Sequence, residues 1–230
     1  MSFHLLSLAL ASVLSISDYA TEQIFSKKLF NNKKFASFAA GAAIAYIMLH
    51  LFPQIESYSL IDGKKIFLYA LLGFVTLNLI EQFIYKEVGK LKHKSKYHKS
   101  MHVAYFFFYN FIIGIVLVNF SSQGLLKALI FFIPFLLYII AEILPEEFSF
   151  KKTSSKILYS MAPLFGTAIA IKYLNFITPF FNELMAFITG TLLYIVIRES
   201  LPSDQAEKPL YFILGVLFYT LILLMSWNVL

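Results

Sequence analysis

Apolar residues in this chain come in blocks rather than in alternation. The stretches "FAAGAAIAYIMLHLF", "FFFYNFIIGIVLVNF" and "LYFILGVLFYTLILLMSW" contain no Asp, Glu, Lys or Arg. A membrane-spanning helix needs about 20 consecutive apolar residues, and runs of that kind predict eight spans. They lie near Phe3–Ala20, Lys34–Gln54, Lys65–Tyr85, His102–Phe120, Leu125–Phe148, Ser155–Asn175, Thr178–Leu201 and Pro209–Leu230. The connections are short and carry turn signals such as "IDGKK", "SSQG" and "NFITPF". The pattern predicts an all-α polytopic membrane protein, with residues 1–230 in a single membrane-embedded domain.

Composition agrees with that reading. The chain is 59% hydrophobic and 14% charged, with a mean hydropathy of +0.74, whereas soluble domains carry about 25% charged residues. Cysteine is absent, which excludes disulfides and thiolate metal sites. Any metal ligand must be His, carboxylate, amide or backbone oxygen.

Charge adds orientation. The net charge of +6 could suggest a nucleic-acid partner, but the lysines lie in short loops between apolar runs, so no nucleic acid is expected. Lys27, Lys28, Lys33 and Lys34 follow the first run, Lys86 to Lys99 the third, and Lys151, Lys152 and Lys156 the fifth. The intervening loops are poor in lysine. By the positive-inside rule both termini are outside. The first run has no basic segment before it, so it reads as a retained span rather than a cleaved leader. Residues 86–101 form a basic cytoplasmic loop holding His93 and His98, with His102 just beyond it. Two readings of that loop stay open: an anchor to anionic lipid, or a weak collector of metal ions.

One stretch of the chain echoes another. Gly41 to Pro53 matches Gly190 to Pro202 in spacing, with His50 where Glu199 falls. The two spans run in opposite directions by the charge rule. Matching segments of opposite direction mark an inverted repeat, which in transporters encloses a central site.

Polar residues inside the apolar runs are the candidate chemistry. A helix from Ala128 to Ala141 covers roughly 21 Å at 1.5 Å per residue, short of the roughly 30 Å of a hydrocarbon core. The fifth span is therefore expected to continue through "EILPEEFSF", placing Glu142 and Glu146 one turn apart at its inner side; the alternative is a helix that ends near Ala141 with both acids at the wet interface. Each intramembrane carboxylate costs about 2.5–3.5 kcal/mol on insertion scales unless partnered. Pro145 lacks an N–H and frees the Ala141 carbonyl as a further oxygen. In the fourth span Tyr109, Asn110 and Gly114 stand near the middle. Asn78 and Glu81 share a face of the third, and His50 with Glu56 suggests an entrance at the outer end of the second. An amide with two carboxylates suits a hard or borderline cation such as Mn, Fe(II) or Zn, and equally suits proton or sodium movement. No His-Glu-x-x-His, Gly-x-Ser-x-Gly or cysteine nucleophile is present, which argues against an enzyme.

These residues resemble the ZIP (Zrt-, Irt-like) family of divalent metal transporters. "AAGAAIAYIMLHLFPQIE" resembles the family's second span and "ITGTLLYIVIRESLP" its seventh. The family's fourth-span motif H-N-x-x-D-G aligns with Tyr109, Asn110, Ile113 and Gly114. Its fifth-span motif H-E-x-P-E aligns with Glu142, Ile143, Pro145 and Glu146. The resemblance implies three spans, a central pair and three spans in inverted repeat, and transport of a divalent cation (Zn, Fe or Mn) toward the cytoplasm. It implies metal ligands at Asn110, Glu142 and Glu146, with Tyr109, Gly114 and Glu199 accessory and no permanently bound cofactor. The expected partners are the cation and the bilayer, with a homodimer left open, and the expected location is the plasma membrane. Ile113 and Ile143 stand where the family has ligands, so the alternative is a non-transporting relative that kept the fold as a sensor or interaction partner.

Overall fold

A computed structural model describes residues 2–20, 33–88, 95–141, 153–200 and 208–227, with residues 33, 81, 83–88, 95–102, 153–155, 199 and 200 described by backbone alone. The helices are α1 (Phe3–Ala20), α2 (Lys33–Tyr46), α3 (Phe52–Asp62), α4 (Ile66–Val88), α5 (Ser95–Ser122) and α6 (Leu125–Ala141). They continue as α7 (Thr153–Ser160), α8 (Ala162–Lys172), α9 (Leu174–Ile177), α10 (Phe181–Ser200) and α11 (Pro209–Trp227). No strand occurs among the described residues.

Among the described residues, five helical stretches are long and apolar enough to cross a membrane: Phe3–Ala20, Lys34–Asp62, Val103–Ser122, Leu174–Arg198 and Pro209–Trp227. Shorter apolar helices, Ile66–Ile80, Leu125–Ala141 and Ala162–Lys172, stand where the third, fifth and sixth spans are expected. The outward faces are oily. Leu68, Leu71 and Leu72 of α4 and Leu210, Ile213, Leu217 and Met225 of α11 are exposed, as suits a multi-pass helical protein solvated by lipid.

Local chemistry sets the breaks. Gly63 (φ 75°) in "IDGKK" and Gly124 (φ 121°) in "SSQG" adopt backbone conformations that other residues resist. The second span runs further than expected, to Asp62. Between α2 and α3 the helix widens into a π turn, Ile47–Leu51, where the Phe52 N–H reaches back to the Ile47 carbonyl. Pro53, which has no N–H to give Leu49, follows at once. "NFITPF" is no open loop: α9 is followed by a 3-10 turn, Thr178–Phe180, with Pro179 in its first turn, where proline is tolerated. The chain instead bends at Tyr173 (φ −115°, ψ 36°), and the sixth span is interrupted at Met161. Helix also occupies both sides of the expected 86–101 loop, since α4 reaches Val88 and α5 starts at Ser95.

Three helix pairs form the frame, each closed by two glycines. A methyl group on Gly41 of α2 would overlap the Phe212 carbonyl of α11, and one on Gly215 would overlap the Phe38 carbonyl of α2. Gly73 of α4 and Gly190 of α10 meet the carbonyls of Phe187 and Ala70 in the same way. Gly114 of α5 and Gly166 of α8 meet those of Pro163 and Phe111. Each of these six glycines thus faces the carbonyl three residues before its partner glycine. In lipid, where helices gain little from apolar burial against each other, such close backbone approach drives association.

Within the first two pairs the helices run parallel. Ser37 contacts Lys208, Gly41 contacts Phe212 and Tyr46 contacts Tyr219, so α2 and α11 advance together. Ala70 meets Gly190 and Phe74 meets Tyr194, so α4 and α10 do likewise. The two pairs are oppositely directed: α3, which continues α2, ends at Asp62, where the Asn182 amide at the start of α10 donates to its carboxylate over 2.8 Å. α1 packs its buried Ser7, Ala11, Leu14 and Ser15 against α5, α6 and α8.

Candidate functional site

α5 is the central helix, with every residue from Ile112 to Val118 buried. Its middle carries Tyr109 and Asn110, 1% and 4% exposed. An amide this deep in an apolar helix is the polar feature that the sequence reading singled out, and the structure buries it as expected. Tyr109 packs against Phe106 at 6.5 Å and Phe135 of α6 at 6.5 Å between ring centroids.

Aromatic rings close around this point. Tyr46 of α2 meets Phe135 at 6.3 Å, Phe135 meets Phe131 at 4.7 Å, and Phe131 stacks on Phe120 at 4.7 Å. Phe120 reaches His50 at 6.5 Å, and His50 stacks back on Tyr46 at 5.4 Å. The Tyr46 hydroxyl is buried and has no hydrogen-bond partner among the described residues, which leaves an unsatisfied polar atom in the aromatic ring.

Two ties hold the central helices to the glycine-clasped pairs. The Tyr105 and Thr191 hydroxyls share a buried hydrogen bond of 2.9 Å between α5 and α10. The Tyr219 hydroxyl of α11 donates to the Ile130 carbonyl of α6. Thr167 of α8 also donates to the Gly114 carbonyl at 2.9 Å.

The other sequence-predicted residues divide. Gly114 has a packing role, since it admits the backbone of Pro163. Ile113 is fully buried in the main apolar cluster. Of the two entrance residues, His50 belongs to the aromatic ring, and Glu56 lines a cleft of about 500 Å³ with Met48, Phe52, Pro53, Ser59, Lys64 and Phe67. Glu142, Ile143, Pro145, Glu146 and His93 lie outside the described residues, and Glu142 directly follows the last residue of α6. His98, His102 and Glu199 lie on α5 and α10 and are described by backbone alone. Among the described residues no three His, Asp or Glu side chains gather as a metal site.

The sequence reading missed Tyr46, Tyr219 and Thr191. Pro134 was a usable signal, because the rule that frees the Ala141 carbonyl ahead of Pro145 frees Ile130 ahead of Pro134. No protein-family profile, curated protein or solved structure matches the chain.

Proposed function

We propose that this chain is a ZIP-like carrier that moves a divalent cation (Zn, Fe or Mn) toward the cytoplasm across the plasma membrane. It crosses the membrane eight times with both ends outside. The cation binds between α5 and α6, where Asn110 supplies an amide oxygen and Glu142 and Glu146 supply carboxylates.

The observation that carries this reading is the repetition of one contact. Phe38 and Gly41 on α2 engage α11 as Phe187 and Gly190 on α10 engage α4, and the two pairs run in opposite directions. The same residues anchor the sequence echo from Gly41 to Pro53 and Gly190 to Pro202. Repeats of opposite direction around a central pair of helices let a carrier open to either side about a fixed site. Asn110 supports the placement, being a buried amide on the central helix.

The test is uptake of Zn, Mn and Fe(II) into vesicles by the wild type and by Glu142→Gln with Glu146→Gln. The reading expects uptake to collapse; unchanged uptake removes the carboxylate site.

A second reading rests on Ile113, which lies wholly within the apolar cluster where the family's motif has a ligand. In it the chain kept the fold and became a membrane sensor or partner. Purified wild-type protein that binds no Zn, Mn or Fe(II) favours this reading over the first.

A further inference from the structure

The cleft beside Glu56 has chemistry of its own. Its walls are Met48, Phe52 and Pro53 from the π turn and α3, and Phe67 from α4; its polar atoms come from Glu56, Ser59 and Lys64. Glu56 and Lys64 line one cavity yet form no ion pair with each other or with any described residue. Ser59 is occupied locally, its hydroxyl donating to the Glu56 carbonyl at 2.7 Å. The cleft therefore offers one carboxylate and one ammonium, each with hydrogen-bonding capacity to spare.

Its position suits an amphiphile. Lys64 stands in the turn between α3 and α4, directly after the Gly63 that ends α3, at the boundary of an apolar span. Met48 and Phe67 are about half exposed, and the apolar surface continues along α4 through Leu68, Leu71 and Leu72. A headgroup in the cleft would have its acyl chains against this face.

We propose that this cleft is a binding site for a zwitterionic phospholipid with a primary-amine headgroup, phosphatidylethanolamine in chemical class. Lys64 receives the phosphate as a point charge. Glu56 accepts hydrogen bonds from the ethanolamine ammonium. A choline headgroup carries the same charge without an N–H, and a glycerol headgroup carries no cation, so Glu56 selects among lipids that Lys64 alone would not distinguish. The site requires only that the chain be membrane-embedded and holds whether or not it carries cations.

Native mass spectrometry of the full purified chain, with phosphatidylethanolamine, phosphatidylcholine and phosphatidylglycerol of identical acyl chains, tests this. The ethanolamine lipid should be retained about fivefold over the other two, the scale of one net hydrogen bond against choline and of one exposed charge pair against glycerol. Glu56→Gln should erase that preference, and Lys64→Gln should lower retention of all three. Soluble phosphoethanolamine should fail to displace the lipid, because it lacks the apolar contact. Equal retention of the three lipids by the wild type, a preference that survives Glu56→Gln, or full displacement by phosphoethanolamine overturns the proposal.

Discussion

The hydroxyl of Tyr219 on α11 donates to the carbonyl oxygen of Ile130 on α6, an acceptor that Pro134 leaves without its helical donor. A proline inside α6 thus becomes a point of attachment to another helix. Tyr219→Phe should destabilise the protein by about 1–3 kcal/mol, the usual loss when a buried polar group is stranded. In a Pro134→Ala background the restored N–H serves Ile130, and the same substitution should lose far less. Reversible unfolding in mixed micelles measures both, and equal losses in the two backgrounds would refute the coupling.

The glycine clasps predict a symmetric response. Alanine is favoured over glycine in a helix by about 1 kcal/mol, so a net loss reports packing. Gly41→Ala and Gly190→Ala should each destabilise by about 1–3 kcal/mol, the range for overpacking, because the obstructing atom is a backbone carbonyl that cannot rotate away. The two losses should be similar. Neutral or stabilising effects would show that the helices part without strain.

Asn110 gives the sharpest probe of the proposed site. Asn110→Ala should weaken cation binding on the order of tenfold or more, comparable to the loss of a metal-site partner elsewhere, while Asn110→Asp should preserve or strengthen it. Calorimetric titration with Mn and Zn reads the change. Identical affinities in all three proteins would move the site off α5.

Ile113 offers a gain-of-function test. Ile113→Asp places a carboxylate in a fully buried apolar position, so without metal the protein should lose stability. A divalent cation that binds there should restore it in a concentration-dependent manner, since ligand binding to the folded state stabilises by mass action. Thermal melts with and without Mn or Zn decide the point; no restoration at any concentration favours the non-transporting reading.

The legible part of this fold was the part that depends on local composition. Span length and turn chemistry located α1 and the bends at Gly63 and Gly124, since each is decided by a few adjacent residues. The π turn at Ile47–Leu51 was not legible, because Pro53 announces a break in hydrogen bonding without saying how the helix absorbs it. Helix partners were less legible still. Gly41 and Gly190 stood out only through their shared spacing, whereas Gly73, Gly166 and Gly215 gave no hint of which helix they would meet. Their partners lie far off in sequence, and no local pattern encodes that choice. At the site, burial of Asn110 followed from its place mid-span, but the aromatic ring beside its neighbour Tyr109 required knowing that Tyr46 and Phe135 come to the same point.

The clasps also constrain how the protein is made. Their order along the chain is that of nested brackets: α5 closes with α8, α4 with α10, and α2 with α11. During synthesis the innermost clasp can close first. The small-residue face of α2 must wait in the bilayer until α11 arrives, an interval covering most of translation. Assembly therefore finishes at the outermost bracket, and a ribosome that stalls before α11 leaves Gly41 and its neighbours open to any other helix in the membrane.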